Sequence, residues 1–323
     1  MLYDGFGRGI EYLRLSVTDR CNLRCTYCMP EECAGGEEPA NWLSFDEIER
    51  VIGAFARLGV HRVRLTGGEP TLRKNLPELA ARLSSLPGIA DLSLSTNGTQ
   101  LARQAKALRS AGVTRLNVSL DSLDPRRFAE IARRDALDMV LRGLAVAREA
   151  GFGPIKINMV AMPGVTDAEI DDMVAFCIDR QFVLRLIEVM PVGSAGRNAG
   201  TVRLGPIQER LRAKFGLVDG IVRGAGPARY LVSPDGLFQI GFITPISQHF
   251  CETCNRVRMS VDGVIYLCLG QNDRIDLRTP LRAGCSDAEL EALMVDGIRR
   301  KPLRHDFEEH PLRVVRFMSA TGG

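Results

Sequence analysis

Strand-like and helix-like segments alternate along the first two-thirds of this 323-residue chain, and this alternation restricts the fold more than any other feature. The apolar, β-prone run Tyr12–Val17 precedes a helix that Ser44 and Glu47 open as a capping box and that Gly59 ends. Further strands are predicted at Arg62–Leu65, Asp91–Ser95, Arg115–Leu120, Ile155–Val160 and Val183–Val189. Further helices are predicted at Leu76–Ser85, Leu101–Ala111, Ala136–Ala150 and Ala168–Arg180. Strands separated by helices pair in parallel through right-handed crossovers, so the pattern predicts an α/β fold with a six-stranded parallel sheet.

Distinctive motifs come directly after most of these strands. Parallel α/β proteins place their chemistry at the carboxyl ends of strands. In chain order the motifs are the cysteines within residues 21–28, Thr66-Gly67-Gly68-Glu69-Pro70, Ser95-Thr96-Asn97-Gly98, Ser119-Leu120-Asp121 and Met190-Pro191. We therefore expect the functional site at this edge of the sheet.

The alternation stops after Pro191, where loop-like glycine segments follow at residues 193–196 and 224–226. We place a domain boundary in the first of these segments. It separates a core of residues 1–195 from an extension of residues 196–323 that carries a second group of cysteines.

Composition excludes several classes of protein. Forty-two basic and 39 acidic side chains give a net charge of +3, so no overall positive field favours nucleic acid. No apolar run is long enough to span a membrane, and the first residues lack a signal-peptide pattern, so we expect a cytoplasmic protein. Nine cysteines in that reducing compartment favour metal binding over disulfides.

The first cysteine triad, Cys21, Cys25 and Cys28, has a spacing that suits three corners of an iron–sulfur cube. The fourth iron would then be open to a small molecule. The alternatives are three unrelated buried thiols or a zinc site, but zinc needs four ligands and only Cys33 lies nearby.

A second triad, Cys251, Cys254 and Cys268, lies in the extension. Its spacing alone leaves zinc, a redox pair and an iron–sulfur cluster open, and His249 could complete a zinc site.

The first triad, with Tyr27 directly before its last cysteine, resembles the signature of radical S-adenosylmethionine (SAM) enzymes. The segment Gly67–Pro70 resembles the glycine-rich contact that these enzymes make to the amino group of SAM. The resemblance implies that an electron from a reduced cluster cleaves SAM and releases a 5′-deoxyadenosyl radical.

The whole chain is similar to one subfamily, the GTP 3′,8-cyclases of molybdenum cofactor biosynthesis. The second triad, the segment Asn255-Arg256-Val257-Arg258 and the terminal pair Gly322-Gly323 carry this similarity. It implies a partial (β/α)6 TIM-type barrel whose C-terminal extension carries a second cluster. Each of the two [4Fe–4S] clusters would be held by one triad and would keep one open iron.

The resemblance also assigns residues. The SAM site would include Tyr27, Gly68, Ser119 and Met190. The GTP site would include Arg14, Arg64, Ser95 (where a threonine is common in the family), Lys156, Arg256, Val257 and Arg258. Catalytic roles would belong to Arg256, Arg258, Gly322 and Gly323. Cations in strands suit this assignment, because a charge facing a closed apolar core would be very costly whereas a cavity that holds an anion accommodates it. By contrast, Arg24, Arg73 and Lys74 are expected to be solvated surface charges.

The implied reaction removes a hydrogen from ribose C3′ of GTP, joins C3′ to guanine C8 and yields 3′,8-cyclo-7,8-dihydroguanosine triphosphate. The implied partners are a reductant such as flavodoxin or ferredoxin, the next enzyme of the pathway (cyclic pyranopterin monophosphate synthase) and a second copy of the chain in a homodimer.

Two other functions compete with this one. A radical SAM peptide-modifying enzyme with an auxiliary cluster would share both triads, but the arginine segment after Cys254 and the Gly-Gly tail argue against it. A zinc-bearing nucleic-acid-binding module gains little support from the near-neutral charge and 6% aromatic residues.

Overall fold

The structure is a computed structural model that describes residues 1–30, 39–221, 226–310 and 312–322. All six predicted strands and the five predicted helices between them are present, and each strand ends within one residue of its predicted end. The elements of the core are β1 Tyr12–Ser16, α1 Phe45–Arg57, β2 Arg62–Thr66, α2 Leu76–Ser84, β3 Asp91–Thr96, α3 Leu101–Ser110, β4 Arg115–Ser119, α4 Pro125–Ala132, α5 Leu137–Glu149, β5 Ile155–Ala161, α6 Asp167–Arg180 and β6 Val183–Glu188.

The rest of the chain adds shorter elements. They are α7 Gly193–Asn198, α8 Gly205–Phe215, β7 Val218–Gly220, β8 Arg229–Val232, β9 Gln239–Ile243, β10 Arg256–Met259, β11 Val264–Tyr266, β12 Arg274–Asp276, α9 Arg278–Arg282, α10 Asp287–Arg299 and α11 Met318–Thr321. Helix α7 runs across the predicted domain boundary at 195/196, which stays a prediction.

Local sequence explains how the helices begin. The Ser44–Glu47 capping box at the start of α1 is confirmed, with the Glu47 amide 3.1 Å from the Ser44 hydroxyl. Helix α4 was not predicted, although Asp124 caps it by accepting from the Arg127 amide at 2.7 Å and Pro125 occupies its first turn. An Asp-Pro pair is therefore the signal that would have located this helix.

The described strands form one sheet in the order β12-β11-β10-β1-β2-β3-β4-β5-β6-β9-β8-β7. The section from β10 to β9 is parallel throughout, and antiparallel pairs flank it on both sides. The extension thus adds three strands to each edge of the six-stranded core, one parallel strand (β10 or β9) followed by two antiparallel ones. Residues of β1, β2, β5, β6, β9 and β10 line one cavity, so the sheet curves around a lumen as a partial barrel. The predicted barrel core is confirmed.

The two faces of the sheet differ in chemistry because side chains alternate along each strand. Leucines and valines such as Leu13, Leu15 and Val63 are essentially inaccessible to solvent and belong to the core between sheet and helices. Burying each contributes about 1.5–3 kcal/mol. The intervening positions, such as Arg14 and Arg64, carry polar or charged side chains on the lumen side. None of the helices in the described ranges is long and apolar enough to cross a membrane.

Candidate functional site: two cysteine triads joined by a cationic lumen

The first cysteine triad lies in the loop after β1, where Cys21, Cys25 and Cys28 are each partly exposed. The amides of Cys28 and Met29 donate to the Cys25 carbonyl at 2.9 and 3.1 Å and fold the loop into a turn. Burial raises the pKa of the Cys25 thiol well above its ordinary value, and the other two cysteines are close enough to raise it further. The three thiols therefore share one environment.

The glycine pair after β2 runs alongside this loop. The Gly68 amide donates to the Thr18 carbonyl at 2.9 Å, and the Glu69 amide donates to the Arg20 carbonyl at 2.7 Å. A Cβ atom at Gly68 would collide with the Arg20 carbonyl, and Gly67 adopts a φ of +138°. Glycine is needed here because two backbones approach closely beside the triad.

Glu69 connects the loops after β2 and β3. Its fully buried carboxylate accepts from the Asn97 amide at 2.6 Å, the Thr96 hydroxyl at 2.7 Å and the Thr71 amide at 3.1 Å. Burial raises its pKa, although these donors oppose the shift. Asn97 also donates to the Asn22 side chain at 2.8 Å, so the first triad's loop belongs to the same network.

The remaining predicted SAM residues lie at the carboxyl ends of later strands. The Tyr27 hydroxyl donates to Asp121 at 2.8 Å, and the Val160 amide donates to the other oxygen of that carboxylate at 2.8 Å. Burial raises the pKa of Asp121 to about 6. Ser119 is exposed at the end of β4, and Met190, after β6, lines the lumen cavity. Asp121 was not assigned a role from the sequence.

The lumen is a cavity of about 1040 Å³, counted with the open space at its mouth. Its wall includes Arg14, Arg64 and the segment Arg256–Arg258. The strand register places Arg258, Arg14 and Arg64 side by side on neighbouring strands. Burial, together with neighbouring arginines, lowers the pKa of each of these three guanidinium groups to about 9. Such a row of buried cations favours a strongly anionic ligand.

Lys156 and Ser95 share a second register row, on either side of Asn117. Lys156 is 5% exposed, and burial, with Arg185 as the largest charged contributor, lowers its pKa to about 7. The Ser95 hydroxyl is buried and has no hydrogen-bond partner among the described residues. The charged and polar strand residues predicted for GTP thus face the lumen side of the sheet, although Lys156 and Ser95 do not form part of the cavity wall itself. Val257 differs, because it lies in register with Leu13 and its side chain is buried in the core between sheet and helices.

The sequence analysis did not assign three further polar residues of this surface, which are Asn117, Asn158 and Arg185. Arg185 donates to the Asn117 side chain at 3.1 Å and to the Tyr230 hydroxyl at 3.0 Å. Arg185 and Asn158 line the cavity, and the side-chain oxygen (Oδ1) of Asn158 is buried without a partner in the described residues. A signal was present, because each is a polar residue inside a predicted strand, as are Arg14 and Lys156.

The second triad opens into the same lumen. Cys251, Cys254 and Cys268 all line the cavity, and the Cys254 amide closes a turn on the Cys251 carbonyl at 3.1 Å. Burial by itself would raise the pKa of the Cys254 thiol, but Lys301 and Arg256 outweigh it, so this pKa is lowered. The surroundings of Cys254 therefore favour a thiolate.

The two triads lie at opposite ends of the sheet. The first follows the carboxyl end of β1, whereas Cys254 precedes β10, which pairs in parallel with β1. Cys268 follows β11, which runs antiparallel to β10 and returns to the same end. With a rise of about 3.3 Å per residue, the five residues of β1 separate the ends by about 16 Å. The rule that chemistry follows strand ends therefore predicts the first triad and not the second.

The C-terminal tail reaches the lumen. Arg258 donates to the carbonyl of Gly322, and to that of Thr321 at 3.4 Å. A Cβ atom at Gly322 would collide with Thr66 at the end of β2. Gly323, which was also predicted to be catalytic, lies outside the described residues, as does Cys33.

One surface assignment was wrong. Arg73 is only 8% exposed, and its guanidinium lies 4.8 Å from the centre of the Trp42 ring. Arg24 is also not a purely solvated charge, since it donates to two carbonyls of the first triad's loop. Lys74 is exposed, as predicted. Local sequence could not reveal the ring that covers Arg73.

The donor sets of both triads fit iron–sulfur clusters. A single zinc ion needs its thiolates within about 2.3 Å of one point, whereas a four-iron cube takes each thiolate at a different corner. His249, the alternative zinc ligand, lies 3.5 Å from Glu252.

Comparison with known proteins agrees with this geometry. Residues 15–177 match the radical SAM superfamily, and residues 182–307 match the family described as Molybdenum Cofactor Synthesis C. The fold is similar to that of Streptococcus suis SuiB bound to S-adenosylmethionine, with a TM-score of 0.65 and 15% identity over 91% of this chain and 68% of that chain. It is also similar to coproporphyrinogen III oxidase from Escherichia coli, with a TM-score of 0.53 and 16% identity over 80% of this chain and 61% of that one. The fold and the first triad define a radical SAM protein with a [4Fe–4S] cluster.

Relatives of higher identity identify the particular family. Proteins named GTP 3′,8-cyclase are 46% identical in Ectopseudomonas mendocina and 45% identical in Paracoccus denitrificans. Each alignment covers 100% of this chain, with 98% of the first relative and 96% of the second. The chain belongs to the GTP 3′,8-cyclase family.

Proposed function

We propose that this protein is a GTP 3′,8-cyclase. It uses SAM to convert GTP to (8S)-3′,8-cyclo-7,8-dihydroguanosine 5′-triphosphate, the first committed step of molybdenum cofactor biosynthesis. The observation that supports this most directly is the cationic lumen that separates two cysteine triads. A ligand that is anionic at one end and carries a metal-binding base at the other suits that lumen.

The first triad would hold a [4Fe–4S] cluster through Cys21, Cys25 and Cys28. When bound, the reduced cluster and SAM supply the radical that removes a hydrogen from substrate. The glycine pair ending at Gly68 lets the loops after β1 and β2 approach closely beside the triad, where the amino group of SAM would bind. The hydrogen bond from Tyr27 to Asp121 fixes the outer side of this pocket.

The lumen arginines would bind the triphosphate. Planar guanidinium groups bind phosphate oxygens in pairs, and Arg14 and Arg64 lie on adjacent strands where they converge on one ligand. Lys156 and the buried Ser95 hydroxyl, from the second register row, add a charge and a donor. Anchoring this end orients the ribose toward the first triad.

We assign a second [4Fe–4S] cluster to Cys251, Cys254 and Cys268. Three thiolates from this cavity wall would leave one iron of the cluster open, and a guanine nitrogen or oxygen would be a suitable ligand for it. Arg256 and Arg258 follow directly along β10, between this triad and the triphosphate cations. They are positioned to hold the base and to stabilise negative charge that develops on it.

The C-terminal tail would close the lumen around the bound nucleotide. Gly322 accepts from Arg258 and packs against Thr66, which leaves little space for water at this point. Excluding water protects a radical from side reactions. The electron donor, the homodimer and the transfer of product to the next enzyme stay predictions of the family resemblance.

The test is anaerobic turnover of the iron-reconstituted protein with GTP, SAM and a chemical reductant. We expect 5′-deoxyadenosine and the cyclised nucleotide in equal amounts, and no cyclised product when ATP replaces GTP. Recovery of 5′-deoxyadenosine with unmodified GTP would mean that the substrate is another molecule.

A further inference from the structure

Two arginines hold the backbone of the second triad from opposite ends of the chain. Arg8 donates to the Cys251 carbonyl at 2.7 Å, and Arg316 donates to the Cys268 carbonyl at 3.0 Å. Arg8 also forms an ion pair with Asp4 at 2.6 Å, so its charge is neutralised locally. These contacts explain how the cysteine loops are fixed, but Arg8 adds little net charge to the site.

Lys301, which follows α10, differs from Arg8 because no carboxylate among the described residues pairs with its charge. Its side chain lines the cavity together with the three thiols, only 2% of the residue is exposed, and its ammonium donates to the Leu267 carbonyl at 2.5 Å. Among the described residues it forms no ion pair with a carboxylate. Burying an ammonium without a nearby anion is costly, so this position favours an anion facing it.

The nearest source of negative charge is the triad itself. The Leu267 carbonyl that accepts from Lys301 directly precedes Cys268, and Cys254 lies within electrostatic reach of the same ammonium. Three thiolates on an iron–sulfur cluster carry net negative charge, which increases by one when the cluster is reduced.

We propose that Lys301 is a positioning residue whose positive charge stabilises the iron–sulfur cluster at the second triad and sets its reduction potential. This inference rests on the second cluster of the proposed function. Because a nearby cation favours the more negative state, removing the charge lowers the potential.

The experiment compares Lys301→Met, Lys301→Arg and the exposed control Lys106→Met. Each is made in full-length protein that also carries Cys21→Ala, Cys25→Ala and Cys28→Ala, so that the second triad supplies the only cluster. Iron content is counted first, and the reduced cluster is then followed by electron paramagnetic resonance during a potentiometric titration.

We expect Lys301→Met to keep its iron and to lower the ratio of reduced to oxidised cluster at a fixed potential at least about tenfold, equivalent to about 59 mV for one electron. Lys301→Arg should recover most of that loss, and Lys106→Met should show none. Loss of iron in Lys301→Met but not in Lys301→Arg would also support the proposal, since charge and not size would then be required.

Three results would contradict the proposed role of Lys301 or the cluster on which it rests. An unchanged potential in an iron-loaded Lys301→Met protein overturns the role of Lys301 and leaves the second cluster intact. Loss of iron in both variants overturns it as well, because packing would explain the effect. Absence of iron from the parent protein would instead overturn the second cluster, and with it the proposed function's assignment of this triad.

Discussion

At the residue scale, the lumen is defined by cations that the fold buries. Arg258, Arg14 and Arg64 lie side by side, and burial lowers the pKa of each to about 9. Desolvating such groups is costly in the free protein, and a polyphosphate offsets that cost when it binds. In the proposed binding mode, GTP would offset a desolvation cost that these cations already carry in the free protein.

Replacing Arg258 by alanine should impair cyclisation and spare cluster assembly. Loss of a charge-assisted contact of about 1.5–3 kcal/mol weakens GTP binding by about 10- to 150-fold. Iron content and GTP affinity of Arg258→Ala should be compared with those of Arg103→Ala, an exposed position on α3. Product formation at the normal rate by Arg258→Ala would exclude it from the substrate site.

Lys156 should make GTP binding dependent on pH. Its pKa is lowered to about 7 in the free protein, so the side chain is largely neutral above that pH. A bound triphosphate raises the pKa again, so binding takes up a proton and affinity falls as pH rises from 7 toward 9. Dissociation constants should be measured by equilibrium dialysis across this range for the native protein and for Lys156→Met.

The Lys156→Met protein serves as the control, because ionisation of GTP itself affects its binding to both proteins. Lys156→Met should bind GTP more weakly at pH 6.5 and show a smaller pH dependence. Equal slopes for the two proteins would mean that Lys156 does not titrate against the nucleotide.

Site residues could be predicted where the sequence around them carries a pattern, and not where their surroundings come from distant parts of the chain. The family resemblance assigns Arg14, Arg64 and Lys156 to GTP, and the presence of a cation inside a predicted strand supports that assignment. Arg185 carried the same signal and was missed. The ring that covers Arg73 is 31 positions earlier in the sequence, at Trp42, so no local pattern could have revealed it.

At the element scale, the first site is assembled from loops after successive strands. Glu69 joins the loops after β2 and β3, and the glycine pair brings the β2 loop against the loop after β1. The alternation of strands and helices predicted these loops correctly. It could not predict β9 and β10, because strands of five and four residues join the two sheet edges only through long-range pairing.

Gly68→Ala tests this close approach. The added Cβ atom would collide with the Arg20 carbonyl, so the β2 loop must move away from the first triad. SAM affinity should fall at least about tenfold, as expected for a displacement that costs 1.4 kcal/mol or more. Gly205→Ala is the matched control, because a Cβ atom there meets nothing within 4 Å.

The Gly68→Ala substitution should not affect the second triad or the GTP site. Iron at the second triad and GTP affinity are expected to remain unchanged in Gly68→Ala. A parallel loss of both ligands would indicate general misfolding, and unchanged SAM affinity would place the SAM site elsewhere.

At the scale of the whole molecule, the extension does more than cover the core. Its strands β9 and β10 enlarge the barrel from both edges, and its cysteines occupy the end of the lumen opposite the first triad. This arrangement could not be read from the sequence, because it depends on β10 lying parallel to β1 at the sheet edge.

The arrangement predicts two independent iron sites. Fully reconstituted protein should contain about eight irons, and removal of either triad should leave about four. Iron and sulfide analysis of the Cys21→Ala/Cys25→Ala/Cys28→Ala and Cys251→Ala/Cys254→Ala/Cys268→Ala proteins checks this prediction. Loss of all iron from either variant would mean that the two sites depend on each other.

In the proposed mechanism, a radical generated at the first triad reaches the ribose of a GTP held in the cationic lumen. Turnover of GTP carrying deuterium at C3′, followed by mass spectrometry of the 5′-deoxyadenosine, tests it most directly. We expect one deuterium in the 5′-deoxyadenosine and none at C3′ of the cyclised product. Cyclised product together with unlabelled 5′-deoxyadenosine would contradict it.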